Sequence, residues 1–209
     1  MTEEVRAVPE VHAVTAAVAD PAPLGLAAFA LTTFLLSAAN ANWMGSATGN
    51  AWLGYALAYG GAIQLLAGMW EFKNRNVFGA TAFSTYGGFW IGLFLWVQFV
   101  APGAKSAAAA DHDLGWILLA FAIFNTYMLI MATQVNIAVF AVFLTLEITE
   151  IILFIGNFDG NTTIVHIGGY LGVITAVAAW YASAASVSNG IPGNRIKLPV
   201  GPALLAPRV

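Results

Sequence analysis

From residue 21 to residue 70 not one side chain carries a formal charge, and the first to break the silence is Glu71. No soluble surface is built from such a stretch, and the rest of the chain repeats the pattern. Only 8% of the 209 residues are charged and 60% are hydrophobic, where soluble domains carry roughly 25% charged residues. The mean hydropathy of +0.80 says the same. A spanning helix needs about 20 mainly apolar residues. Six such runs are present, near 22–41, 52–72, 79–100, 114–132, 136–156 and 163–187. Helices satisfy their backbone hydrogen bonds internally, so six of them make a stable bundle in lipid. The fold class expected is an all-α integral membrane protein with six transmembrane helices in a compact bundle.

The basic residues orient that bundle. Arg6, Lys73, Arg75, Arg195, Lys197 and Arg208 fall on one side, with only Lys105 opposite, beside Asp111 and Asp113. Both termini are therefore expected in the cytoplasm and the bundle in the cell (plasma or inner) membrane. The acidic, proline-broken start "MTEEVRAVPEVHAVTAAVAD" is no secretory signal. It reads as a mobile tail over 1–19, followed by the transmembrane domain over 20–188 and a C-terminal cytoplasmic tail over 189–209. Trp43, Trp52, Trp70, Trp96, Trp116 and Trp180 lie near span ends, as an aromatic belt does. The glycines within spans read first as close-packing positions between helices.

Several function classes drop out. Without cysteine there is neither a disulfide framework nor a thiolate metal site. His12 and His112 are placed in a polar tail or loop, which argues against a histidine-rich metal or haem centre. A net charge of −3 gives no basic patch for nucleic acid. No nucleotide-binding loop, no catalytic grouping and no intramembrane lysine is present, so no cofactor and no enzyme activity is expected.

The informative residues are the polar ones inside spans. Helix 5 reads "FLTLEITEIILFIGN" and holds Glu147 and Glu150 at i, i+3, one turn apart on one face. Intramembrane acids cost roughly 2.5–3.5 kcal/mol each on insertion scales and suggest function by default. No deep Lys or Arg neutralises them, so neighbours such as Thr145, Thr149 or His166 are the expected hydrogen-bond partners. Two readings stand level: a proton-handling pair, or a polar seam between subunits. His166, in the sixth span, is either a third proton-handling residue or a packing residue. Gln64, Thr81, Ser84, Tyr86, Asn125 and Thr126 are singly ordinary interhelical hydrogen-bonders. Spread over three helices, they together suit the lining of a narrow polar path.

Three longer motifs carry a resemblance. "DPAPLGLAAFALTTF" at 20–34 resembles the Asn-Pro-Ala-Pro-Leu-Gly-Leu signature of the acetate uptake transporter family, which includes bacterial succinate–acetate permeases. "YGGAIQLLAGMWEFKNRNVFGATAFSTYGGFW" at 59–90 is similar to that family's second and third helices. "FIGN" at 154–157, His166 and "GGYLG" at 168–172 look like its fifth and sixth. The resemblance implies a six-helix protomer, assembled as a hexamer, each protomer having its own path for acetate and related small carboxylates. It implies a hydrophobic pore constriction at Phe29, Tyr86 and Leu146. On the transport reading, the Tyr86 hydroxyl is expected to meet the carboxylate there as the methyl group passes Phe29 and Leu146.

The family match also turns the start of helix 1 into an expected entry site: Asp20, Pro21, Ala22, Pro23, Leu24 and Gly25. In that register Asp20 is the N-cap, Pro21 stands at N1 and Pro23 at N3, positions where a missing N–H costs nothing. Remaining N–H groups and the helix dipole then greet an anion. Three residues depart from the family pattern. Asp20 replaces the usual asparagine, and Glu147 and Glu150 stand where apolar or hydroxyl residues are expected. Passive and proton-linked transport are not separated by the sequence. The rival readings are a channel for a neutral solute such as urea, ammonia or water, and a non-transporting scaffold or sensor.

Overall fold

A computed structural model describes residues 18–44 and 50–205. The N-terminal tail with Arg6 and His12, and Arg208 at the other end, lie outside the described residues. Six helical rods run through the described chain. They are α1 (Ala22–Asn40), α2 (residues 53–73), α3 (Val77–Leu95), α4 (Ala107–Ala132), α5 (Ile137–Phe158) and α6 (Thr162–Gly190). Among the described residues five of the rods, α2 excepted, are long and apolar enough on their own to cross a membrane. The second rod is composite. It begins as α-helix at Leu53–Leu57, widens into π-helical turns over Ala58–Ile63 and resumes as α-helix over Gln64–Lys73.

The widening has a local cause. Gly60 lies against Thr32 of α1, so closely that a Cβ there would stand 2.7 Å from the threonine Cβ. The Thr32 hydroxyl is occupied by the Ala28 carbonyl one turn back, at 3.0 Å, and approaches the Tyr55 carbonyl at 3.5 Å. A π-bulge of this kind absorbs an extra residue within one helix.

Each rod packs on the next, and α1 closes the ring by touching both α6 and α2. Small residues set the spacing, as expected where packing contact rather than the hydrophobic effect drives association. At Gly87 of α3 an added Cβ would meet the Leu65 backbone nitrogen at 2.7 Å, so α2 and α3 touch nearly backbone to backbone. Polar links are few and specific. Thr149 and Thr175 share a hydrogen bond of 3.2 Å between α5 and α6, and Ser183 donates to the Pro23 carbonyl at 2.7 Å. Asn76, Ser106, Asn136 and Asn161 cap α3, α4, α5 and α6 by accepting backbone N–H bonds.

Three expectations shift in detail. First, α1 starts one residue later than the proline register suggests: Pro21 is the N-cap, Ala22 the first helical residue and Pro23 the second. Asp20 stays useful, because its Oδ1 accepts the Ala22 N–H at 3.0 Å. Second, α4 begins at Ala107 rather than near 114, so His112 is helical, not in a loop; its ring meets Trp116 and Phe158 edge to face. Ser106 caps that early start, and Lys105 is left just outside it. Third, Trp52 is buried at 6% exposure instead of standing in an aromatic belt, whereas Trp43, Trp70 and Trp116 are half exposed.

Beyond Gly190 the chain is irregular but docked. Asn189 clasps Leu198 through two hydrogen bonds of 2.8 and 3.1 Å, and the Tyr181 hydroxyl donates to the Pro199 carbonyl at 2.6 Å. The strap then crosses the connection between α4 and α5. The Val200 carbonyl accepts the Ala138 N–H, and the Thr133 carbonyl accepts the N–H groups of Leu204 and Leu205.

Candidate functional site

Odd-numbered helices line the centre of the ring. On α1 the inward face repeats at helical spacing as Leu26, Phe29, Thr33, Leu36, Ser37 and Asn40. On α3 it is Phe83, Tyr86, Phe89 and Trp90, and on α5 Val142, Leu146, Glu150 and Leu153. All three helices run the same way, so their inward residues stack in matching layers.

The layers enclose a line of cavities. At the α1 C-terminal end a cavity of about 310 Å³ is walled by Asn40, Asn50, Trp52 and Asn157, among others. A neighbouring cavity of about 310 Å³ shares Asn40 and Asn157 and adds Asp111 and His166. Next inward lies a cavity of about 40 Å³ whose polar lining is Thr33, Ser37, Asn40, Thr149 and Glu150. Last comes a cavity of about 20 Å³ lined by Leu26, Gln64, Ala82, Phe83, Val142 and Phe143. Three residues belong to both of the inner cavities: Phe29, Tyr86 and Leu146. They form the partition between them. All are buried, at 5%, 3% and 6% exposure, and the Phe29 and Tyr86 rings meet edge to face with centroids 5.6 Å apart.

Behind that partition a hydrogen-bonded network joins α3, α4 and α5. The Tyr86 hydroxyl lies 3.0 Å from Asn125 Oδ1 and 3.2 Å from Glu150 Oε1. Asn125 is fully buried and donates through Nδ2 to the Phe143 carbonyl at 3.0 Å and to Glu147 Oε2 at 2.7 Å. Thr126 completes the far end with a bond of 2.7 Å to Glu147 Oε1. The two glutamates therefore part company despite their shared face. Glu150 is buried and lines the 40 Å³ cavity, while Glu147 sits half-buried in the seam between α4 and α5.

Other expected residues go elsewhere. Thr145 and Thr149 bond back into their own helix, and His166 stands in the outer cavity, so none of the three serves the glutamates. The Tyr86 hydroxyl is engaged by the network behind the partition. Gln64 is 1% exposed in the innermost cavity with Oε1 unpartnered. Ser84 packs against Gly68 of α2, Thr81 lines none of these four cavities, and Thr126 is exposed on the outer face. At the start of α1 the available N–H groups are already used. Ala22 bonds Asp20, while Leu24 and Gly25 both bond the Pro21 carbonyl.

Glu71 is the residue that sequence reasoning passed over. The sequence marks it only as the first charge after the long uncharged stretch; it is wholly buried, with Asn74 donating to Oε2 at 3.2 Å and Oε1 unpartnered. The clue was its place inside the Ala-Gly-x-x-Glu-Phe pattern, four residues ahead of the nearest arginine.

Apolar rods closed into a ring around a constricted, partly polar axis define a multi-pass helical membrane protein of the channel or transporter type. The chain belongs to the GPR1/FUN34/yaaH family, whose model matches residues 5–196. It is 35% identical over 183 residues to the succinate-acetate/proton symporter SatP of Escherichia coli K12, covering 88% of this chain and 95% of that one. Acetate permease A of Emericella nidulans is 38% identical over 188 residues, 82% of this chain. The chain spans only 62% of that permease's length, and the same share of two Saccharomyces cerevisiae relatives. Among solved structures, the bacterial acetate channel SatP superposes with a TM-score of 0.80 at 34% identity, covering 88% of this chain and 99% of the other.

Proposed function

We propose that the chain carries acetate and related short carboxylates, succinate among them, along its central line of cavities, with Phe29, Tyr86 and Leu146 as the constriction. The observation that carries the reading is the coincidence of two independent lines. Family motifs single out these three residues, and the same three form the partition between the two inner cavities. A partition of two aromatic rings and a leucine favours a small solute that sheds water on one face. Acetate presents a methyl group for that face and a carboxylate for the polar ledges on either side, Thr33 and Ser37 on one and Gln64 on the other. Larger hydrated ions lack the apolar end and meet only steric exclusion.

Glu147 and Glu150 are assigned to proton coupling, since they are the acids wired to the constriction through Asn125 and Tyr86. Asp20 is assigned to the cytoplasmic mouth. Its carboxylate holds the Ala22 N–H, the place an arriving anion would take. The names of the relatives support the substrate. A homo-oligomer, taken as a hexamer with one path per protomer, and cytoplasmic termini complete the reading.

The test is uptake of labelled acetate by liposomes containing the purified chain. Uptake above empty vesicles, reduced by Leu146→Trp at the partition, is expected. Uptake equal to empty vesicles refutes the function.

A further inference from the structure

Hydrogen-bond polarity around Tyr86 assigns a proton that no distance shows directly. Asn125 has one face against the Phe143 carbonyl, at 3.0 Å, and that carbonyl can only accept. Its amide nitrogen must point there, which leaves Oδ1, an acceptor, against the Tyr86 oxygen at 3.0 Å. Tyr86 owns a single proton and spends it on Oδ1. The remaining contact, Tyr86 oxygen to Glu150 Oε1 at 3.2 Å, then needs its proton from Glu150. In this arrangement Glu150 is a neutral carboxylic acid with Oε1–H as donor and Oε2 as a carbonyl-like acceptor.

Glu150 Oε2 is buried and has no partner, and the same is true of the Thr33 hydroxyl. Both residues line the one 40 Å³ cavity beside the constriction. That volume exceeds the roughly 10–15 Å³ needed to seat a water by the same measure and suits a solute of a few heavy atoms. An unpaired buried hydroxyl and an unpaired carboxyl oxygen ask for a ligand that both accepts and donates. Phe29, Phe89 and Leu146 offer an apolar surface to its remaining end.

Resting on the transport reading above, we propose that this cavity is a binding site for the undissociated form of a short carboxylic acid. The acid's O–H donates to Glu150 Oε2, its carbonyl accepts from Thr33, and its methyl group faces the constriction. A carboxylate anion has no proton to give Oε2 and meets two acceptor surfaces, Glu150 and the face of Phe89. The solute thus crosses with its proton, and Glu150 selects the protonation state without giving up its own proton. The titratable groups near Glu150 are Tyr86 on α3, Glu147 on its own helix and Tyr127 on α4, which reaches Tyr86 through edge-to-face contacts of both rings with Phe124. The α1 and α6 helices contribute polar but non-titrating groups there, from Thr33, Ser37, Asn40 and Thr175.

Two measurements on the full chain decide it. Infrared difference spectra at neutral pH should show a protonated carboxyl band that is lost in Glu150→Gln; a spectrum without that band overturns the proposal. In liposomes, acetamide, a neutral analogue with the same donor and acceptor, should inhibit acetate uptake. Inhibition should weaken about tenfold or more in Thr33→Val and in Glu150→Leu, and be recovered in Glu150→Gln, which keeps both hydrogen-bonding edges. Acetate uptake untouched by acetamide overturns the proposal, as does a Gln variant no better than Leu. If the wild-type chain moves no acetate, transport fails but the site is still decided by tryptophan fluorescence, since Trp90 lines the cavity. A fluorescence change with acetamide that disappears in Thr33→Val supports the site, and no change overturns it.

Discussion

Replacing Asn125 with leucine tests whether the network behind the constriction holds the bundle together. The substitution nearly conserves volume but removes three side-chain bonds, to Tyr86, the Phe143 carbonyl and Glu147, of 3.0, 3.0 and 2.7 Å. Counted as in a soluble core, two stranded buried groups at about 1–3 kcal/mol each would cost on the order of 2–6 kcal/mol. In lipid the disrupted state also finds partners, and interhelical hydrogen bonds average about 0.6 kcal/mol. Three such bonds give about 2 kcal/mol, close to a thirtyfold shift in the folding equilibrium. The smaller cost applies because Glu147 retains Thr126 at 2.7 Å and the Phe143 carbonyl lies within a helix. The assay is reversible unfolding in mixed micelles of lipid and detergent, with Tyr86→Phe and the double variant completing a cycle. A coupling of about 0.5–1 kcal/mol between the two positions is expected, since they share one bond. Asn125→Leu at wild-type stability, or additive single variants, refutes the network and the proton assignment built on it.

Gly87→Ala forces a Cβ to within 2.7 Å of the Leu65 backbone and should lower stability by about 1–3 kcal/mol in the same unfolding assay. Asp20→Asn keeps a neutral cap for Ala22 and removes the competing charge, so initial acetate uptake should rise; a fall would show that the carboxylate itself is needed. Asn189→Ala deletes both bonds that hold Leu198 and should speed tryptic cleavage after Lys197 several-fold, read by mass spectrometry. The chain has no cysteine, so single substitutions report sidedness without background. In intact cells Lys105→Cys should react with an impermeant maleimide and Lys73→Cys should not.

The sequence alone determined the fold class and the number and approximate ends of the rods, because lipid leaves the backbone almost no alternative to helix and charge scarcity marks where lipid lies. It also determined the family, since motifs such as Asp20–Gly25 and the segment around Tyr86 survive as short local strings. The motifs point to Phe29 and Tyr86 for that reason, and to Leu146 by counting back from Asn157; the structure sets all three between the two inner cavities. What stood beyond reach were facts set by the rotation of one helix against another. Glu147 and Glu150 share a face by spacing, yet one is buried in the central cavity and the other lies in a seam. Their partners are Asn125 and Tyr86, 22 and 64 residues distant in sequence, rather than the nearby threonines. The burial of Glu71 is likewise set by packing, with α3 lying over it and Gly79 leaving it room. Periodicity tells which residues of one helix travel together; only packing decides what they face, and on that depends which acids line the central cavity and which lie in a seam.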